Sequence, residues 1–68
     1  MPVIRVDMLA GRTQQQKNEI ADIFTRELAR VARCGVGDVQ IIFNDVERRN
    51  WSVAGVIRED GAPAKEHA

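Results

Sequence analysis

The sequence predicts an α+β subunit: a βαβ unit with a short C-terminal hairpin, whose two parallel strands are too few to be a whole sheet. Three observations predict it. Two short runs rich in β-branched residues flank one amphipathic stretch of about twenty residues, an arrangement whose crossover is right-handed in nearly all known cases and leaves the strands parallel. A third run, short and broken by glycine, follows them. The 68 residues fit a single small domain, placed at residues 2–58, and a chain of this size buries only about 60% of the surface its unfolded form exposes.

The first strand is Val3 to Leu9, Val-Ile-Arg-Val-Asp-Met-Leu, with apolar residues alternating at Ile4, Val6 and Met8. Ala10, Gly11 and Arg12 end it in a turn. Thr13, with Gln16 three residues on, has the pattern of a capping box, so the helix is expected to start near Thr13. Its apolar stripe runs Ile20, Ile23, Phe24, Leu28, Val31, spacings of three and four that align on one helix face. Gly35 and Gly37 are expected to stop it near Cys34, because glycine readily adopts the left-handed conformation that ends a helix. Val39 to Val46 forms the second strand, apolar on both faces, and Phe24 and Phe43 read as packing residues. Trp51 to Ile57 is a strand-like or hairpin-like stretch suited to pairing with the sheet edge of a neighbouring subunit. Residues 59–68 are small and polar without periodicity, the composition of a flexible tail, and His67 within them reads as a solvated bystander.

The composition narrows the partners. A single cysteine, Cys34, cannot close an internal disulfide, and no Cys/His cluster has zinc-ligand spacing, so self-association is the remaining way to stabilise so small a chain. With Arg33 as its only basic neighbour, Cys34 reads as small filler rather than a nucleophile. Ten basic and ten acidic side chains leave no net charge, which disfavours nucleic acid and membrane surfaces. Arg5 and Asp7 interrupt the first apolar run, and no stretch approaches the roughly 20 apolar residues of a membrane span, so a cytoplasmic location is expected.

Pro2 is the residue with chemistry to offer. Met followed by a small residue is ordinarily processed, and removal of Met1 would leave a terminal secondary amine. Internal proline has no basic lone pair. Terminal proline is a rigid base, held in place by the strand that follows it. An ordinary α-amino group titrates at roughly 7.7 to 8.0, and burial or nearby cations would lower that value and free the base near neutral pH. Met-Pro also begins many proteins in which the proline merely opens a strand.

The surrounding residues add to this. Pro2-Val3-Ile4-Arg5-Val6-Asp7-Met8-Leu9-Ala10-Gly11-Arg12-Thr13, followed by Gln16 and Lys17, resembles the opening of the 4-oxalocrotonate tautomerase family. Val39 to Val46 resembles its second strand, and Asn50-Trp51-Ser52-Val53-Ala54-Gly55 its closing segment, so the likeness covers residues 2–57. The resemblance implies a subunit that dimerises into a four-stranded sheet, with dimers joined into a homohexamer as a trimer of dimers and active sites at subunit boundaries; a dimer is the smaller alternative. It implies a cofactor-independent tautomerase, with no metal, acting on a small-molecule carboxylate substrate. Pro2 matches the general base that moves a proton within an unsaturated or 2-oxo carboxylate. Arg12 matches the arginine that binds substrate carboxylate, a task suited to a planar fork that stays charged; an arginine before a helix is otherwise commonly just solvated.

One position departs from the pattern. Where the best-known isomerases carry a second arginine that polarises the substrate carbonyl, this chain has Gln40, a donor without charge. Losing one such contact typically costs on the order of 10² to 10³ in rate. Arg48, Arg49 and Arg5 are the cations available to replace it, although Arg48 and Arg49 also read as a solvated turn with Glu47. Trp51 stands in place of the usual phenylalanine, either as an apolar wall beside the proline or as a residue closing the subunit interface.

Two other functions fit the same fold. One is a dehalogenase or hydratase acting on a 3-haloacrylate-like acid with a protonated proline, for which Asp7, Asp45 and Glu47 are by type the candidates to activate water. The other is a non-catalytic ligand-binding or assembly subunit.

Overall fold

The computed structural model describes residues 1–58, in the order β1 (Val3–Leu9), α1 (Gln14–Ala32), β2 (Gln40–Val46), β3 (Ser52–Val53) and β4 (Val56–Ile57). The expected tail at 59–68, with His67, lies outside the described residues. β1 and β2 pair in parallel, from Val3 opposite Gln40 to Leu9 opposite Val46. The ladder runs one bond further at each end: Gln40 N–H donates to the Pro2 carbonyl at 3.0 Å, and Ala10 N–H to the Val46 carbonyl at 2.9 Å.

Both ends of α1 are fixed by local chemistry. Gly11, at φ 130°, makes the turn out of β1 that a side chain would strain. Thr13 then caps the helix in the expected box: Gln16 N–H donates to Thr13 Oγ1 at 3.1 Å, and Thr13 N–H to Gln16 Oε1 at 2.9 Å. The other end differs from expectation. The left-handed residue is Arg33, at φ 61°, whereas Gly35 is extended at φ −77°. With Arg33 turned, Cys34 N–H reaches back to the Ala29 carbonyl at 3.1 Å, the long bond that closes a Schellman end. The helix is satisfied before the glycines, which are left for the tight turn Val36–Asp38 that leads into β2.

The side of α1 that meets the sheet is displaced from its apolar stripe. The less exposed positions are Lys17, Ile20, Ala21, Thr25, Leu28 and Ala29, so small residues sit nearest the strands and permit close approach. Ile23, Phe24 and Val31 flank that contact and stay exposed, Phe24 at 45%, so the packing role expected of Phe24 is not met within this subunit. Beneath the helix, Ile4, Val6, Met8, Ile41 and Phe43 are half-buried, Phe43 in the packing role expected of it. The opposite face of the strand pair carries the alternate residues Val3, Arg5, Asp7, Gln40, Ile42 and Asn44, all exposed. Among the described residues only Ala29 is buried, at 6% exposure.

After β2 a tight turn at Arg48–Asn50 leads to Trp51 and the hairpin. Ser52 pairs with Ile57 and Val53 with Val56, around Ala54 at φ 54° and Gly55 at φ 83°. Positive φ at both central residues gives the twist that two-residue hairpins favour. The hairpin is a sheet of its own and does not join β1 and β2.

Candidate active site

The parallel pairing sorts the candidate residues to the two ends of the sheet. Pro2 immediately precedes β1 and Gln40 opens β2, and the two meet through the bond from Gln40 N–H to the Pro2 carbonyl. That bond fixes the half-buried proline at the head of the sheet. The Gln40 side chain is exposed and emerges on the face away from the helix, beside Val3 and Arg5.

Arg12 and Trp51 lie at the other end. Arg12 follows the Gly11 turn beyond the end of β1, and Trp51 follows β2 and its tight turn. The seven residues of β1, at about 3.3 Å each, put roughly 20 Å between Pro2 and the Arg12 turn. Within one subunit, Pro2 and Gln40 are therefore brought together, and Arg12 and Trp51 are not brought to them.

Arg12 stands at the rim of a shallow groove along α1, lined also by Gln16, Glu19, Ile20, Ile23 and Phe24. Trp51 is half-buried, its N–H donating to the Arg48 carbonyl at 3.1 Å and its carbonyl accepting from Arg58 N–H at 2.8 Å. These bonds hold its backbone against the turn and the hairpin.

The three carboxylates considered for activating water are each engaged. Asp7 Oδ1 accepts from Asn44 Nδ2 at 3.0 Å. Asp45 is paired with Lys17, a half-buried amine that ties α1 to the end of β2, and Glu47 Oε1 accepts from Arg49 Nε at 2.9 Å. The Lys17–Asp45 pair was not foreseen, because nothing local in the sequence relates residues so far apart. Asp7 and Asn44 were readable as cross-strand partners once the register was known. Among the described residues no three metal-ligating side chains converge, and no helix is long and apolar enough to cross a membrane.

Known proteins share this fold. The family model described as Tautomerase enzyme matches residues 2–61. The chain belongs to the tautomerase family. A 2-hydroxymuconate tautomerase of Comamonas testosteroni is 34% identical over 56 residues, covering 82% of this chain and 89% of the relative. Among solved structures, a 4-oxalocrotonate tautomerase homologue superposes with a TM-score of 0.85 at 30% identity, covering 90% of this chain and 97% of the other. A heterohexameric 4-oxalocrotonate tautomerase from Chloroflexus aurantiacus does so at 0.83 and 28% identity, covering 88% and 97%. This tautomerase thus has the βαβ fold of the 4-oxalocrotonate tautomerases, with their short hairpin, and it is an isomerase.

Proposed function

We propose that this tautomerase uses Pro2, freed by removal of Met1, as the general base that shifts a proton within an unsaturated or 2-oxo carboxylate, without a cofactor. The observation that carries the reading is the seating of Pro2. Its carbonyl is bonded into the head of the parallel ladder at 3.0 Å, so a terminal amine there would be rigidly aimed, while Met1 ahead of it is 81% exposed and open to a processing enzyme. A base held in this way gains from fixed orientation as well as from basicity.

Arg12 is the carboxylate anchor in this reading, Gln40 a neutral donor toward the substrate carbonyl, and Trp51 an apolar wall. Because Arg12 and Trp51 lie at the far end of the sheet from Pro2, the working site takes them from a neighbouring subunit, within a homohexamer built as a trimer of dimers. The hairpin, unattached to its own sheet, then pairs with a neighbour's edge. The dehalogenase alternative has less support, since Asp7, Asp45 and Glu47 each already have a partner.

The test is ketonisation of 2-hydroxymuconate and of phenylenolpyruvate by the wild type and by Pro2→Ala, alongside intact-mass measurement. The expected result is a chain lacking Met1, with kcat reduced on the order of 10² or more in Pro2→Ala, the scale of a lost general base. Unchanged rates in Pro2→Ala, or a retained Met1 in an active enzyme, would overturn the reading.

A further inference from the structure

We propose that the ion pair between Lys17 and Asp45 aims Arg12, which makes these two side chains positioning residues for the carboxylate-binding end of the site. The inference rests on the reading of Arg12 as carboxylate anchor. It adds how the chain points an exposed arginine in one direction, which a planar fork needs in order to meet a carboxylate with paired hydrogen bonds.

Arg12 does not hold itself in place. Among the described residues its guanidinium makes no hydrogen bond or ion pair, so its direction is set by the backbone that carries it. That backbone is a short link. Ala10 N–H is bonded to the Val46 carbonyl at 2.9 Å and Thr13 caps α1, so Gly11 and Arg12 alone lie between the end of the sheet and the start of the helix. Gly11 is at φ 130°, and apart from its chain neighbours no described atom comes within 4 Å of where a side chain would begin there, so the turn is not wedged by packing. With the Val46 bond fixing one end of the link, the direction of Arg12 follows from where the first turn of α1 stands over the strands.

Lys17 fixes that turn. Its N–H donates to the Thr13 carbonyl at 3.1 Å, one helical turn beyond the cap, and its amine crosses to Asp45, which directly precedes Val46 in β2. The two ties therefore reach adjacent residues of one strand, one from each side of Arg12. Among the described residues the Lys17–Asp45 pair is also the one side-chain hydrogen bond or ion pair between α1 and either strand. The rest of that contact is made by residues such as Ala21 and Ala29, whose apolar burial is non-directional. The Lys17 side chain is 17% exposed, against 60% or more for the other ion-paired cations. Water competes little for an amine so enclosed, so this pair holds a fixed arrangement where exposed pairs contribute little.

The test follows 2-hydroxymuconate ketonisation in Lys17→Met, Lys17→Arg, Asp45→Asn, Arg12→Ala and the double variant of Lys17→Met with Arg12→Ala, with native mass measured for each. Asp22→Asn is the control, because it removes an ion pair of the same helix that does not reach the strands. Lys17→Met and Asp45→Asn are each expected to raise KM about tenfold, the scale of one weakened charge-assisted hydrogen bond, with kcat and native mass near wild type. Lys17→Arg, which can still pair with Asp45, is expected to keep KM close to wild type, as is Asp22→Asn. A residue that acts through Arg12 has nothing left to aim once Arg12 is gone, so Lys17→Met is expected to leave the residual kcat/KM of Arg12→Ala nearly unchanged.

A fall in kcat at unchanged KM, a KM in Lys17→Arg as high as in Lys17→Met, a matching rise in Asp22→Asn, or a full tenfold fall in the Arg12→Ala background would each overturn the proposal. If Lys17→Met fails to assemble, Asp45→Asn is read in its place, and loss of native mass in both would overturn it by assigning the pair to assembly. Arg12→Ala keeps the two ideas apart. If it lowers kcat/KM while Lys17→Met and Asp45→Asn do not, only the positioning role fails; if Arg12→Ala leaves kcat/KM unchanged, the anchor itself is misassigned.

Discussion

Among the described residues two non-glycine residues hold positive φ, Arg33 at 61° and Ala54 at 54°, and both sit where the chain must reverse. A left-handed backbone brings Cβ close to the following carbonyl oxygen and costs an L-residue roughly 1–2 kcal/mol. Arg33→Gly removes that strain but frees the unfolded chain, so the expected net gain is about 0.5–1 kcal/mol, read as a higher melting temperature at fixed protein concentration. A lower melting temperature would mean that the arginine side chain contributes more than its backbone costs. The candidate residues differed in how far the sequence revealed them. Pro2, Arg12, Gln40 and Trp51 were all legible as types in a pattern. That Arg5, rather than Arg48 or Arg49, lies beside Gln40 was not, because it depends on which residue of β2 faces which residue of β1.

At the scale of elements, the ordinary signals worked wherever a local interaction decides the outcome. Alternation marked β1, and the Thr13–Gln16 box marked the first turn of α1. The end of the helix was less legible because Arg33, not a glycine, takes the left-handed turn, and its orientation because that is decided against the sheet: the strands take up Ala21, Thr25 and Ala29, leaving Ile23 and Phe24 to one side. The outer face of α1 is instead laced with ion pairs. Asp22 accepts from Arg26 at 2.9 Å, and Glu27 from Arg30 at 2.8 Å. The Arg26 hydrogen bond, and then its charge, hold the Asp22 carboxyl below its ordinary 3.8, and Arg30 does the same to Glu27 below its ordinary 4.5. A carboxylate whose pKa falls on folding stabilises the folded state above its unfolded value, and that contribution is lost as pH drops through the folded value. Asp22→Asn is therefore expected to melt slightly below wild type near neutral pH and low salt, with the gap closing as pH falls beneath 3.8 or as salt is added. A gap that persists in strong acid would assign the effect to packing or helix propensity instead.

The described residues of the subunit do not enclose a core. Ala29 alone is buried among the described residues, while Phe24 and Val31 on the helix, Val3 and Ile42 on the free sheet face, and Val53 and Val56 on the hairpin stay exposed. Apolar surface on three sides, rimmed by polar residues, marks contact surface rather than finished exterior. The need for partners was legible in length and composition. That Pro2 and Arg12 stand at opposite ends of one strand was legible too, because β1 runs between them, whereas that Gln40 shares the Pro2 end depends on the parallel direction of β1 and β2. The separation of Pro2 from Arg12 makes its own prediction. If each site combines Pro2 of one subunit with Arg12 of another, Pro2→Ala and Arg12→Ala enzymes are both nearly inactive alone, yet each carries what the other lacks. Unfolded together in equal amounts and refolded, they form sites at random, and about one quarter of the sites draw both groups intact in a closed symmetric assembly. Activity near a quarter of wild type is therefore expected after co-refolding, and none after mixing the folded proteins for a time too short for subunits to exchange. A co-refolded mixture no more active than its components would place Pro2 and Arg12 in the same subunit's site, against the roughly 20 Å that the strand sets between them.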